Sequence, residues 1–151
     1  MPHVHELIDF TVSVFITHDN KVLLIHHKKL NMWLPIGGHI ELDEDPEETL
    51  FREVKEECGL EIQVLSSKPE ITSPGTKFLY TPSFLDIHAL PGNHKHIALT
   101  YFAKSKSDAF VHNREEHNDI HWFTGEDLEK PEFNLTNAVK FYCKEALKIT
   151  N

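Results

Sequence analysis

The sequence predicts a mixed α/β or α+β sandwich, and three observations support this fold class. Runs of β-branched and aromatic residues recur along the chain, as expected of strands. One segment carries helix-start and helix-stop residues at its two ends, and residues 134–150 have the periodicity of an amphipathic helix. The chain has 151 residues, 40% of them hydrophobic, which suffices for a core. Since it contains no internal repeat or linker, we expect a single domain over residues 1–151.

The N-terminal part is predicted to form a β-hairpin. Residues 9–17 (DFTVSVFIT) have the composition of a strand. Residues 18–20 (HDN) have turn chemistry and lead into a second strand over residues 21–26. A short apolar piece, MWLPI, then precedes two adjacent glycines.

The next element is a helix over residues 46–58 with clear signals at both ends. Asp45 is a favourable N-cap, Pro46 fits the first helical position, and Glu48 stands where a capping box places its glutamate. Gly59 can adopt the left-handed conformation that ends a helix. We therefore expect this helix to begin and end sharply.

The remainder alternates between strands and turns and closes with a helix. Further strands are predicted over residues 60–65, 77–80, 84–90, 96–104 and 120–123. The segment TGEDL has the pattern of a capped helical turn. In the C-terminal helix, one side is predicted to carry the apolar residues Leu135, Val139, Tyr142, Cys143, Ala146 and Ile149.

Charge and composition limit the partners that we expect. The net charge of −9 repels nucleic-acid backbones and anionic lipid, so a small-molecule partner is favoured over nucleic acid. The apolar runs are too short to span a membrane, and the N-terminus lacks the regions of a signal peptide. Two distant cysteines provide no disulfide framework. We expect a cytoplasmic protein, and a homodimer is left open.

Three glutamates of the predicted helix point to a cation. At about 100° per residue, Glu53, Glu56 and Glu57 fall within roughly a third of the helix circumference. A solvated acidic face is the ordinary explanation of such a pattern. Glu56 and Glu57, however, lie near the C-terminal end, where the helix dipole disfavours anions. Mg²⁺ would compensate this charge, because it binds a few carboxylates and fills its other positions with water or phosphate.

The same spacing resembles a known family motif. Gly38, five residues, Glu44, seven residues and then residues 52–60 (REVKEECGL) resemble the Nudix box of the Nudix (MutT-like) hydrolases, with every defining position filled. The resemblance implies a Nudix α/β/α sandwich with a mixed β-sheet, and hydrolysis of nucleoside diphosphate derivatives that depends on Mg²⁺ or Mn²⁺. Many family members have a proline directly before the two glycines, whereas here Ile36 separates Pro35 from them. This departure weakens any inference of the substrate from better-known members of the family.

The resemblance also implies roles for individual residues. Glu56 and Glu57 would be metal ligands, and Glu53 either a ligand or the base for the attacking water. Arg52 would orient the glutamates, and Gly38 would let the backbone approach the metal.

Two further acidic positions follow from the resemblance. Glu44 would brace the loop before the helix. Family members often use one more acidic residue from a loop near the last sheet strand, where Glu115, Glu116 and Asp119 are available. Glu116 lies at the most family-like distance before Trp122 and is our candidate, the alternative being a merely polar loop.

Other candidates rest on residue type alone. Trp33, Phe78 and Tyr80 could stack on a nucleobase, although aromatic residues at strand spacing more often belong to a core. His94 and His96 share one face of a predicted strand and could bind phosphate or a soft metal. Without a cysteine nearby, we expect them to be surface histidines.

The leading hypothesis is a metal-dependent pyrophosphohydrolase that acts on a nucleoside triphosphate, a modified nucleotide or a nucleotide sugar. One alternative is a nucleotide-binding regulator without turnover, although such relatives usually lose box glutamates. Another is hydrolysis of RNA 5′ ends, which the acidic balance disfavours. An isomerase on the same fold is a third.

Overall fold

A computed structural model describes residues 4–150 and begins with the predicted hairpin. Strands β1 (Ile8–His18) and β2 (Lys21–His27) pair antiparallel. Asp19 and Asn20 between them have φ of 48° and 60°, the left-handed region that a two-residue hairpin turn requires at both positions. The turn chemistry read from the sequence is confirmed.

Within residues 4–150, eight strands form one mixed sheet. The long strand β1 lies at its centre and pairs in parallel with β7, while the other pairings are antiparallel. The remaining strands are β3 (Met32–Leu34), β4 (Ile36–His39), β5 (Ile62–Val64), β6 (Phe84–Leu90), β7 (His94–Ser105) and β8 (His117–Phe123).

The sheet has a helix and an apolar cluster on each face. Helix α1 (Pro46–Glu57) packs on the face to which β1 contributes Val12 and Val14, and helix α2 (Asn137–Thr150) packs on the face of Phe15. Because successive side chains of β1 point to opposite faces of the sheet, this strand contributes residues to both cores. Two short 3₁₀ helices, Asp127–Glu129 and Pro131–Phe133, precede α2. The expected α/β/α sandwich with a mixed β-sheet is confirmed.

Helix α1 has the predicted caps. Asp45 accepts a hydrogen bond from the Glu48 amide at 2.9 Å, and the Glu48 carboxylate accepts one from the Asp45 amide at 3.1 Å. At the other end, Gly59 has φ of 68°, and its amide donates to the Val54 carbonyl oxygen at 2.9 Å. These bonds satisfy backbone groups that a helix end leaves unpaired, so the sequence located both ends.

The strand predicted over residues 77–80 is wrong. The segment has no regular secondary structure, because its backbone hydrogen bonds do not reach a neighbouring strand. The Tyr80 amide donates to the Glu47 carboxylate at 2.9 Å, and the Thr81 amide donates to the Ser67 carbonyl oxygen at 3.3 Å. A side-chain carboxylate of α1 thus replaces the partner strand.

The buried side of α2 differs in part from the predicted one. Val139, Cys143 and Ala146 are buried as expected, but Ile149 is 50% exposed and Leu147 is buried instead. Within residues 4–150, no helix has both the length and the apolar character that crossing a membrane needs.

Candidate active site

A bidentate ion pair connects helix α1 to the loop before it. Arg52 donates from Nε to Glu44 Oε2 at 2.7 Å and from Nη2 to Glu44 Oε1 at 2.8 Å. Thr49 also donates to Glu44, at 3.0 Å. The Arg52 guanidinium lowers the pKa of Glu44 to about 2. Glu44 thus holds the loop and fixes the arginine in one orientation.

The other guanidinium nitrogen of Arg52 faces the glutamates of α1. Its Nη1 donates to Glu53 at 2.8 Å and to Glu56 at 3.4 Å. Glu53 is 3% exposed, whereas the Glu56 side chain is about half exposed. One cation therefore joins a buried carboxylate, an exposed carboxylate and the loop that Glu44 braces.

Glu57 is held from two sides. Its Oε1 accepts a hydrogen bond from the Gly37 amide at 3.1 Å, and its Oε2 lies 2.9 Å from His117 Nε2. Gly37 can make this contact because it has no side chain: a Cβ there would lie 2.0 Å from the Val12 carbonyl oxygen. Glu57 is therefore positioned by β4 on one side and by the start of β8 on the other.

Burial changes the protonation of the two inner glutamates. It raises the pKa of Glu53 to about 9, with a contribution from the neighbouring Glu57. Burial likewise raises the pKa of Glu57, to about 7. Two buried carboxylates side by side need a shared proton or a cation between them. Arg52 bonds only to Glu53 of this inner pair, so the pair is suited to receive a further positive charge.

Glu116, at the end of the loop before β8, and His117, the first residue of β8, lie at the same place. Ligand atoms of Glu57, Glu116 and His117 all lie within 4.8 Å of one another. Glu116 is the residue that we selected from sequence; the role of His117 was missed. His117 is buried, and its Nδ1 has no hydrogen-bond partner among the described residues. A histidine next to the candidate acid was the available signal, but only the fold shows its contact with Glu57.

The donor set fits the metals that we expected. Carboxylate oxygens from Glu53, Glu56, Glu57 and Glu116 are hard ligands of the kind that Mg²⁺ and Mn²⁺ select. Gly38 lies in β4, beside the Gly37 amide that contacts Glu57. The site is open on the side of Glu56 and Glu116, both exposed, and a metal site that acts on phosphate needs such an opening.

The three candidate aromatic residues are not brought together. Trp33 packs with Phe123 and Phe133 in the cluster of the α2 face. Tyr80 packs against the cluster of the α1 face, and Phe78 is half buried in the preceding loop. Because Trp33 and Tyr80 belong to opposite faces of the sheet, they cannot line one pocket together.

An apolar groove adjoins the loop between β4 and α1. It has a volume of about 560 Å³. Phe10, half exposed, lies in it, together with Leu99 of β7 and Leu85 of β6. Its lining also includes Ile40, Glu41, Leu42 and Pro46, which belong to the box segment. The groove and the acidic site therefore share one loop, a relation that the sequence did not indicate.

Comparison with known proteins agrees with this geometry. A family model described as the NUDIX domain matches residues 8–143. A solved NUDIX-family hydrolase from Clostridium perfringens is 34% identical and superposes with a TM-score of 0.82, covering 95% of this chain and 98% of that one. A MutT NUDIX hydrolase from Burkholderia pseudomallei, 24% identical with a TM-score of 0.64 over 95% and 98% of the two chains, shares the fold.

A curated relative matches over a shorter segment. The m7GpppN-mRNA hydrolase NUDT17 of Xenopus laevis is 42% identical over 65 residues, which are 39% of this chain and 22% of that protein. The matched segment thus spans about a fifth of the relative's length. With the family model covering most of the chain and the box geometry complete, the chain belongs to the Nudix hydrolases, enzymes that act on phosphorus-containing anhydrides.

Proposed function

We propose that this chain is a metal-dependent pyrophosphohydrolase that cleaves the diphosphate linkage of a small nucleoside diphosphate derivative. Its substrate would be a nucleoside triphosphate, a modified nucleotide or a nucleotide sugar, and its cofactor Mg²⁺ or Mn²⁺. The observation that carries the proposal is the buried pair Glu53 and Glu57. Their raised pKa values and fixed orientation suit them to a cation that bridges the protein and an anionic substrate.

The metal would be held by Glu56, Glu57 and the backbone at Gly38, with Glu116 contributing from the β8 loop. When bound, such an ion neutralises phosphate charge and lowers the pKa of a coordinated water. In the reaction, water attacks phosphorus and the P–O–P bond breaks, with the bonding electron pair leaving on the departing phosphate. Glu53 keeps its proton without metal, but once a bound cation has displaced that proton its carboxylate would accept the proton of the water; a second ligand role is its alternative.

Arg52 has a positioning role in this proposal. Its bonds to Glu44, Glu53 and Glu56 fix the carboxylates before substrate arrives, so little reorganisation is needed during the reaction. His117 does the same for Glu57 from the other side.

The apolar groove beside the box loop is the proposed place for the nucleoside. Its volume of about 560 Å³ lies within the range of roughly 300–1,000 Å³ typical of small-molecule sites. Half-exposed Phe10 offers a face for base stacking. Of the aromatic residues predicted from sequence, Tyr80 stays a candidate on the α1 face of the sheet. Trp33 and Phe78 stay predictions without a contact that favours them.

Capped or 5′-phosphorylated RNA is a second candidate substrate. The likeness to NUDT17 favours it, since that relative is named as an mRNA hydrolase. The likeness covers a small part of the relative, and a net charge of −9 opposes binding of a polyanion. We therefore rank small nucleotides first. A single domain over residues 1–151, a cytoplasmic location and homodimerisation stay predictions.

A substrate panel tests the proposal. Purified protein is incubated with Mg²⁺ or Mn²⁺ and nucleoside triphosphates, ADP-ribose, nucleotide sugars, dinucleoside polyphosphates or capped RNA, and products are separated by chromatography. We expect metal-dependent turnover of a small nucleotide that Glu57→Gln abolishes. The same exchange at exposed Glu61, just outside the box, should leave turnover unchanged. Tight nucleotide binding without turnover of any substrate would identify a regulator instead, and turnover of RNA alone would select the second candidate.

A further inference from the structure

A second cluster of metal-ligand residues lies on the face of the sheet opposite the glutamates of the box. It consists of Asp9 at the start of β1, His39 at the end of β4, and His94 and His96 at the start of β7. One potential ligand atom from each residue lies within 4.8 Å of those of the other three. Asp9, His39 and His94 are at most 6% exposed, so the expectation of a surface histidine is wrong for His94, whereas His96 is half-buried.

Strand pairing explains why residues so distant in sequence meet. Asp9 is the register partner of His96 in the parallel β1–β7 pair, and His39 pairs with Thr11, two residues further along β1. Residues at even spacing point to the same face of a sheet. The cluster therefore forms only when three strands have come together.

The polar contacts converge on one point. His94 Nε2 lies 3.1 Å from Asp9 Oδ2, His39 Nε2 lies 3.6 Å from the same oxygen, and His39 Nε2 lies 3.0 Å from His96 Nε2. In a tetrahedral zinc site with Zn–N bonds of about 2.0–2.1 Å, adjacent ligand atoms are separated by roughly 3.3 Å. The measured separations lie on both sides of that value.

The outer hydrogen bond of His94 determines which nitrogen can be a ligand. Its Nδ1 lies 3.0 Å from the Glu6 carbonyl oxygen, which can only accept, so Nδ1 carries a proton. With Nδ1 protonated, Nε2 faces the Asp9 carboxylate at 3.1 Å, and it is the ring nitrogen that can hold either a second proton or a metal ion. A histidine that donates one N–H to a carbonyl and presents the other nitrogen inward has the usual arrangement of a metal ligand.

We propose that Asp9, His39, His94 and His96 form a closed binding site for a borderline divalent transition-metal ion such as Zn²⁺, separate from the site at the Nudix box. Three imidazoles and one carboxylate match the preference of Zn²⁺ and not that of Mg²⁺, which prefers oxygen ligands. Four protein ligands leave no position for substrate, so the ion would be structural. Its binding displaces the protons that otherwise separate the imidazole and carboxylate lone pairs.

The site is connected to the active site through one residue. His39 directly follows Gly38 of the box, and its carbonyl oxygen accepts a hydrogen bond from Arg52 Nη2 at 3.3 Å. An ion that joins β1, β4 and β7 at this end would therefore fix the strand from which the box loop begins. Asp9 is itself oriented by the amides of Val4 and His5, at 3.2 and 2.6 Å.

Zinc binding in excess Mg²⁺ tests the proposal without using activity. Chelator-treated protein is titrated with Zn²⁺ against a chromophoric competitor, with Mg²⁺ in large excess to fill the box site. We expect one tightly bound Zn²⁺ per chain. His94→Ala, His96→Ala and Asp9→Asn should each weaken it by roughly 100-fold or more. Two substitutions serve as controls: His121→Ala, at an exposed position on β8, and Glu57→Gln in the box. Both should leave the zinc affinity within about twofold of the wild-type value, and we count a change of this size as no change.

Two further readouts keep the result decisive. Co²⁺ in place of Zn²⁺ should give the intense visible absorption of a four-coordinate ion in the wild type and lose it in His96→Ala. Circular dichroism identifies any variant that does not fold. The proposal is then judged on Asp9→Asn, which is nearly isosteric, and on His96→Ala, at a half-buried position, because these two substitutions should disturb the fold least. Absence of stoichiometric zinc binding, or zinc affinity that survives both of these variants, would overturn the proposal. Loss of zinc in Glu57→Gln would assign the ion to the box instead.

Discussion

The two clusters of ionisable residues, one on each face of the sheet, solve the problem of buried charge in different ways. The box cluster consists of glutamates on one helix, balanced in part by Arg52 and open to solvent at Glu56. The histidine cluster joins three strands and is mostly buried, without lysine or arginine among its four members. We propose that the first binds a hard ion that substrate can reach, and that the second binds a borderline ion enclosed by protein. Because the two ligand sets share no residue, we expect a charge substitution in one set to leave the metal affinity of the other nearly unchanged.

The largest expected effect comes from Glu57→Gln. Removing one charge from the inner pair should lower kcat by about 10³-fold or more, because the amide keeps the shape but loses the ligand charge. Kinetics at saturating Mg²⁺ measure this, with Glu61→Gln as the matched control. Zinc affinity of the histidine cluster should not change. Wild-type turnover by Glu57→Gln would remove this residue from the metal site.

The next effect concerns stability at the base of the box. Glu44 has a pKa of about 2 in the folded protein, below its ordinary value of 4.5, so its contribution is fully present above about pH 4.5 and is lost as the pH falls towards 2. Glu44→Gln should lower the free energy of unfolding at pH 7 by roughly 2–3 kcal/mol. Urea unfolding measures this. A difference that does not shrink between pH 5 and pH 3 would contradict the ion-pair explanation.

A smaller effect should appear as pH dependence without added metal. The folded-state pKa of Glu53, about 9, exceeds its ordinary value of 4.5, so the folded state retains a proton and stability falls as the pH rises from about 4.5 to 9. Between pH 7 and pH 9, above the histidine range, the free energy of unfolding should fall by roughly 2 kcal/mol. Thermal and urea unfolding measure it; Mg²⁺ should reverse the loss, and Glu53→Gln should flatten the profile. If the free energy of unfolding of the wild type does not change between pH 7 and pH 9, Glu53 does not retain a proton in the folded state.

The smallest effect separates positioning from catalysis at His117. His117→Phe removes the donor that holds Glu57 and should weaken the apparent affinity for Mg²⁺ by roughly 10-fold, with a smaller change in kcat at saturating metal. His117→Gln offers an amide N–H in its place and should restore part of the affinity. Metal titrations of initial rate measure both. Equal behaviour of the two variants would indicate that His117 acts only by packing.

The contrast between the clusters also explains what could be predicted from sequence. Helix α1 was located at both ends because Asp45, Glu48 and Gly59 act within one turn of the chain, and the three glutamates were grouped because helical spacing is local. The strand at 77–80 was wrong because Glu47, distant in sequence, takes its backbone bond. The roles of Gly37 and His117, and the whole histidine cluster, depend on strand register, which no local pattern encodes.

Binding of Mn²⁺ tests the central claim, that the glutamates of α1 hold the catalytic ion. Electron paramagnetic resonance can follow free Mn²⁺ during titration of the wild type and of a variant with Glu53, Glu56 and Glu57 all replaced by glutamine, while turnover is recorded on the same samples. We expect saturable Mn²⁺ binding that rises together with activity in the wild type, and loss of both in the variant. Unchanged Mn²⁺ affinity together with retained hydrolysis in a folded variant would contradict it.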